Sequence, residues 1–220
     1  VTPEGLLASG TQTAYVLALH FDLLPAGLRA AAVQGLVRDI EKREFHIATG
    51  FVGTPYILDV LSRHGCIDIA YRLLEQETFP SWLFPVRNGA TTIWERWDGW
   101  TPKNGFQDKG MNSFNHYAYG AVGDWIYRTV AGLDLDPLEP GYKHIIFSPR
   151  PGGTITAAQA SLVTPCGPVA ISWKLQDGEL TVDLQVPESA TASFSPPPDF
   201  TAAESVEFPA GCHQVVLRKS

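Results

Sequence analysis

The sequence predicts an α+β chain, paired helices first and an antiparallel β-sandwich after them. Two helical stretches, Thr11 to Leu24 and Ala26 to Glu44, repeat apolar residues at three- and four-residue spacing, the period of one helix face. Beyond Pro137 the period drops to two: Val169, Ile171, Trp173 and Leu175 alternate with Ala170, Ser172 and Lys174, and Leu180, Val182, Leu184 and Val186 follow the same rule. Between those runs stands Asp177-Gly178, a pair that favours a two-residue hairpin turn.

Pro25 and Gly27 punctuate the first two helices, so they form a hairpin, with Ser9 or Thr11 placed to cap the first. A loop, Thr49-Gly50-Phe51-Val52-Gly53-Thr54-Pro55, runs into the next helix with Pro55 in its first turn, where a missing N–H costs nothing. Tyr56 to His64 and Cys66 to Thr78 form a second pair broken at Gly65. Residues 79–114 are rich in Trp, Gly, Pro and Asn and show no sustained period, which predicts a long functional loop region. Asn115 to Leu133 resumes a helical pattern ending near Gly132, with Gly120 and Gly123 expected at close helix contacts. Tyr142 to Phe147, Ile155 to Thr164, Ala190 to Phe194 and His213 to Arg218 are the remaining strands. About five helices are too few to close a ring of helix pairs, so the chain reads as the C-terminal portion of something larger.

Sixteen Lys and Arg against 23 Asp and Glu leave a net charge of −7. An acidic chain without basic blocks is repelled by phosphates, which argues against nucleic acid or an anionic membrane as partner. No apolar run reaches the length of a membrane span. No secretory leader is visible at Val1, which favours the cytosol. Cys66, Cys166 and Cys212 are too few and too scattered for a zinc site or a disulfide framework. A Cys166–Cys212 bridge needs an oxidising compartment, and reduced thiols are the simpler expectation. The sequence holds no GxSxG elbow, phosphate-binding loop, dinucleotide fingerprint or HExxH pair, and no acidic run at calcium-loop spacing.

Chemistry concentrates in Thr91–Trp100, where three of the six tryptophans interleave with Glu95, Arg96 and Asp98. Indole faces stack on the C–H faces of sugars, while carboxylates and Arg hydrogen-bond their hydroxyls. A carboxylate set among indole rings loses part of its hydration and is suited to proton transfer. The competing reading is a buried aromatic core with a structural Glu–Arg pair; the Gly-rich loop context favours function. A second cluster follows, Met111-Asn112-Ser113-Phe114-Asn115-His116-Tyr117. It places His116 in the first turn of a helix, facing the preceding loop, although a lone His there is more often structural. His20, His46, His64, His144 and His213 are scattered and read as structural.

GATTIWERWDGW (Gly89–Trp100), GFQDKGMNSFNHYAYGAVGDWIY (Gly105–Tyr127), TGFVGTPYIL (Thr49–Leu58) and PGYKHIIFSPRPGG (Pro140–Gly153) together resemble the bacterial and fungal α-L-rhamnosidases. The resemblance covers essentially the whole chain. It implies a multidomain arrangement, with the C-terminal helices of an (α/α)6 catalytic barrel over residues 1–136 and an antiparallel β-sandwich over residues 137–220. It implies hydrolysis of terminal α-L-rhamnosyl groups with inversion, with Glu95 as the general base, His116 binding the sugar, and Trp94 and Trp97 at substrate-binding motif positions, one or the other of them facing the sugar. No cofactor or metal follows from it; the partners are a rhamnose-containing glycoside and the upstream part of the same catalytic domain. The family's general acid stands in an Asp- and Trp-rich segment with no counterpart in these 220 residues. Inverting hydrolysis needs both carboxyls roughly 6.5–9.5 Å apart with a water between them, so the chain alone is expected to be inactive, as a fragment, truncated homologue or nicked piece. Two other readings stand beside this one: a non-catalytic carbohydrate-binding module, and a related toroid acting on another sugar.

Overall fold

The structure is a computed structural model that describes residue 2 and residues 7–110, 112–201 and 206–219. The chain divides into two compact units, Val1–Val122 and Gly123–Ser220.

The first unit is built on two helical hairpins. Helix α1 (Gln12–His20) starts at Thr11, whose hydroxyl accepts from the Ala14 N–H at 3.2 Å, satisfying one of the amides that a helix start leaves unpaired. Asp22 in the left-handed region ends the turn, and α2 (Ala26–Lys42) follows Pro25. The two helices meet where Gly35 lies under the buried Tyr15 ring; a Cβ there would come within 2.8 Å of the ring. Helix α3 (Thr54–Arg63) carries Pro55 in its first turn, Gly65 turns the chain at φ +76°, and α4 (Ile67–Leu74) returns. Helix α4 stops short of Thr78 because side chains take over there. The Gln76 amide donates to Glu44 O, and its carbonyl accepts from Thr78. Leu36, Ile40, Ile57, Leu61 and Leu73 are fully buried between these helices.

The expected loop region contains a short helix, α5 (Leu83–Arg87), and a two-residue ladder of β1 (Trp100–Thr101) with β2 (Gly105–Phe106). The helix expected from Asn115 begins later, as a 3-10 turn over Tyr117–Ala121, and continues as α6 (Val122–Trp125). Backbone groups of residues 113–116 are engaged by residues 93–95 instead, which delays helix formation. Gly123 has nothing within 4 Å of a would-be Cβ and Gly120 only an ordinary contact with Ile93, so neither marks a close helix approach.

In the second unit, a π-helical turn (Ile126–Ala131) ends at Gly132, φ +84°. Two sheets follow. One has the order β10-β8-β4-β3, from β3 (Leu133–Leu135), β4 (His144–Phe147), β8 (Thr191–Phe194) and β10 (Val206–Phe208). Its β4–β8 pair is parallel, while the other strand pairs among the described residues are antiparallel. The other has the order β5-β6-β7-β11-β9, from β5 (Ala157–Thr164), β6 (Gly167–Gln176), β7 (Glu179–Val186), β9 (Phe200–Thr201) and β11 (Gly211–Lys219). Asp177 and Gly178 both have positive φ, as the tight β6–β7 turn requires. Ile145, Phe147, Ala192 and Phe194 are buried on one sheet, and Ile171, Trp173, Val182 and Leu184 on the other. The Trp173 indole N–H donates to Val130 O at 2.8 Å, tying the π turn to β6. All three cysteines are free thiols. Among the described residues no helix is long and apolar enough to cross a membrane, and no group of three or more His, Cys, Asp or Glu is placed to hold a metal.

Candidate active site

The loop between α2 and α3 is the foundation of the site. Gln12, buried in the first turn of α1, donates to His46 O at 3.2 Å and accepts from the Ala48 N–H at 2.7 Å, pinning the chain as it leaves α2. Buried Thr49 and Thr54 share a 2.8 Å hydroxyl contact, and the Thr54 hydroxyl also reaches Gly50 O at 2.9 Å. Gly53 is closely packed: a Cβ would sit 3.0 Å from both Thr13 Oγ1 and Thr49 Cγ2, which would have to give by a few tenths of an ångström. The TGFVGTP motif is therefore a rigid platform.

Two candidate residues rest on that platform. The Trp97 indole N–H donates to Thr49 O at 2.9 Å, and its ring stacks on Tyr119 at 3.9 Å and 4°. The His116 ring stacks on Phe51 at 4.9 Å and 9°. His116 occupies an extended position before the 3-10 turn, outside the first helical turn.

Glu95 is fixed by the pairing of the two sequence clusters. Its N–H donates to Ser113 O at 2.9 Å, and its Oε2 accepts from the Ser113 N–H at 2.7 Å. Three residues on, the His116 N–H donates to Ile93 O at 2.9 Å, so Glu95 and His116 are held by one backbone clasp. Asn112 closes its far end by donating to Gly99 O at 2.8 Å. The Glu95 carboxylate is half-buried and hydrogen-bonded to the backbone. Trp94, 9% exposed, turns inward and meets Phe114 edge-on.

Among the described residues, the Glu95–Arg96 pair expected as the bland alternative does not form. Arg96 instead clasps Asp98 through two bonds, Nε to Oδ1 at 2.9 Å and Nη2 to Oδ2 at 3.1 Å. Those bonds hold the Asp98 carboxyl below the usual carboxylate range, against the opposing effect of burial. Beside this assembly opens a cleft of about 600 Å³, lined among others by Arg43, His46, Phe79, Arg96, Trp97 and Asp98. Its lining residues do not include Glu95 or His116. Sequence reasoning missed Arg43, His46 and Phe79 because they come from loops distant in sequence. His46 is anchored between Arg43 O at 2.7 Å and Thr78 Oγ1 at 2.8 Å.

The model of the bacterial α-L-rhamnosidase six-hairpin glycosidase domain matches residues 1–130, and that of the bacterial α-L-rhamnosidase C-terminal domain matches residues 132–207. The chain belongs to the bacterial α-L-rhamnosidase family. Its helices are the end of that family's helical toroid, and its sheets form the family's C-terminal β-sandwich. It is 47% identical to an α-L-rhamnosidase of Streptomyces avermitilis over 199 residues, which is 90% of the chain and 19% of that protein. It superposes on the crystal structure of the Streptomyces avermitilis α-L-rhamnosidase complexed with L-rhamnose with a TM-score of 0.93 and 42% identity, covering 99% of the chain and 22% of that structure. The native Aspergillus terreus α-L-rhamnosidase gives a TM-score of 0.93 at 35% identity, covering 99% and 25%. The chain thus spans about a fifth of the length of the curated relatives it matches.

Proposed function

We propose that this chain carries the water-activating half of an inverting α-L-rhamnosidase site. Glu95 is the general base: with Oε2 held by the Ser113 amide, Oε1 takes a proton from a water as that water bonds to the anomeric carbon. The glycosidic C–O bond breaks on the opposite side, and the leaving oxygen receives a proton from an acid that is not among these 220 residues. His116, its ring braced on Phe51, hydrogen-bonds the sugar hydroxyls. Trp97, on the cleft, offers a ring for stacking, while Trp94 is buried against Phe114. The substrate class is a glycoside with a terminal α-L-rhamnosyl group.

The observation that carries this reading is the shared clasp. A carboxylate whose one oxygen is fixed by a backbone amide has a defined direction for the other, which general-base catalysis requires. Membership of the rhamnosidase family supplies the sugar.

Glu95→Gln in the intact enzyme is expected to lower kcat for an aryl rhamnoside by about 10²–10⁴-fold, with little change in substrate binding. The variant keeps the acceptor for the Ser113 amide, so folding is preserved. Turnover close to that of the unsubstituted enzyme refutes the role.

A further inference from the structure

The outward face of the five-stranded sheet takes no part in this chemistry. Its register places Gln159 of β5 opposite Ser172 of β6, Ser172 opposite Asp183 of β7, and Asp183 opposite Gln214 of β11. One transverse row of polar side chains therefore crosses four neighbouring strands, about 14 Å at the usual strand spacing. Residues two apart share a face, so Ser161 and Gln185 extend the row on one side and Lys174 and Thr181 on the other.

This face is hollowed. Concavities of about 1030 Å³ and 670 Å³ lie on it and share Gln159, Ser172 and Asp183, which makes them one continuous trough. Gln214 Nε2 donates to Asp183 Oδ1 at 2.8 Å, which fixes both groups and leaves the amide oxygen of Gln214 to accept. The amides of Gln159 and Gln185 have no protein partner among the described residues. Tyr127, 43% exposed, lines the trough, its hydroxyl 3.5 Å from Ser161 O.

Mixed charges, Lys174, Arg218 and Lys219 with Asp177 and Glu179, line the larger of the two concavities. The central row here holds two amides and a hydroxyl around one carboxylate. An amide presents a donor and an acceptor in one plane, matching neighbouring hydroxyls of a sugar ring, and an exposed Tyr ring stacks on its C–H face. Three cationic side chains (Lys174, Arg218, Lys219) and three anionic ones (Asp177, Glu179, Asp183) line the trough, so it offers no net positive field to an anionic ligand. We propose that this trough binds a neutral oligosaccharide chain, as a second carbohydrate site independent of the role given to Glu95.

The test is calorimetric titration of the intact protein, in a Glu95→Gln background, with a neutral rhamnose-terminated tetrasaccharide and with an acidic oligogalacturonate tetramer as comparator. The neutral probe is expected to need a second binding site beyond the catalytic one. The double substitution Gln159→Ala with Gln214→Ala weakens that second site about tenfold, and Asp183→Asn weakens it without altering the melting temperature. A single site for the neutral probe, a second site indifferent to all three substitutions, or tighter binding of the acidic tetramer overturns the proposal.

Discussion

Asp98 keeps its charge because Arg96 clasps both its oxygens. With its folded pKa lowered from 3.8, the stability it contributes is fully present above the unfolded value and is lost as pH falls through the lower folded one. The pair is partly exposed and screened by solvent, so its contribution is small. Asp98→Asn is therefore expected to lower the melting temperature slightly at neutral pH, and the gap should close on titration well below about pH 4. A gap constant with pH means that the clasp does not act through charge. The importance of Trp94 to Trp100 was legible in the sequence, since aromatics and charges crowd one short segment. The partner of Arg96 was not, because a chain without coordinates cannot tell Glu95 from Asp98 as the nearer carboxylate.

At the scale of elements, the hairpins and strands came from period and punctuation, and Gly132 shows how far that reaches. Its place at a helix end was expected from the pattern. Its necessity was not: at φ +84° a Cβ would lie 2.2 Å from Pro149 N and 2.4 Å from Pro149 Cα, both backbone atoms that cannot swing aside. Gly132→Ala is expected to destabilise by about 3 kcal/mol or more, read as a fall in the denaturation midpoint. A loss under about 1 kcal/mol means that the Leu133–Leu135 connection yields. The short strands β3, β9 and β10 escaped the sequence because two or three residues show no period, and β3 follows directly on a helical pattern.

For the whole molecule, the proposed division of labour places the proton donor outside these residues. Purified alone, the 220-residue chain is expected to release no rhamnose from an aryl rhamnoside beyond the uncatalysed rate, because inversion needs two carboxyls across the sugar. Family-like turnover by the isolated chain contradicts both the absent acid and the mechanism built on it. The assay is the appearance of free aryl alcohol with and without the chain.

Helical hairpins, sandwich strands, the Asp177-Gly178 turn and the family were all determined by the sequence, because these depend on local period, turn chemistry and contiguous motifs. Only the tertiary structure decided that Ser113 holds Glu95, that Thr49 and Phe51 brace Trp97 and His116, and that Trp94 faces inward. It also decided that Gln159, Ser172, Asp183 and Gln214 form one row. Each of these joins residues far apart in the chain, and register and loop closure, which bring them together, are set by packing rather than by any local preference.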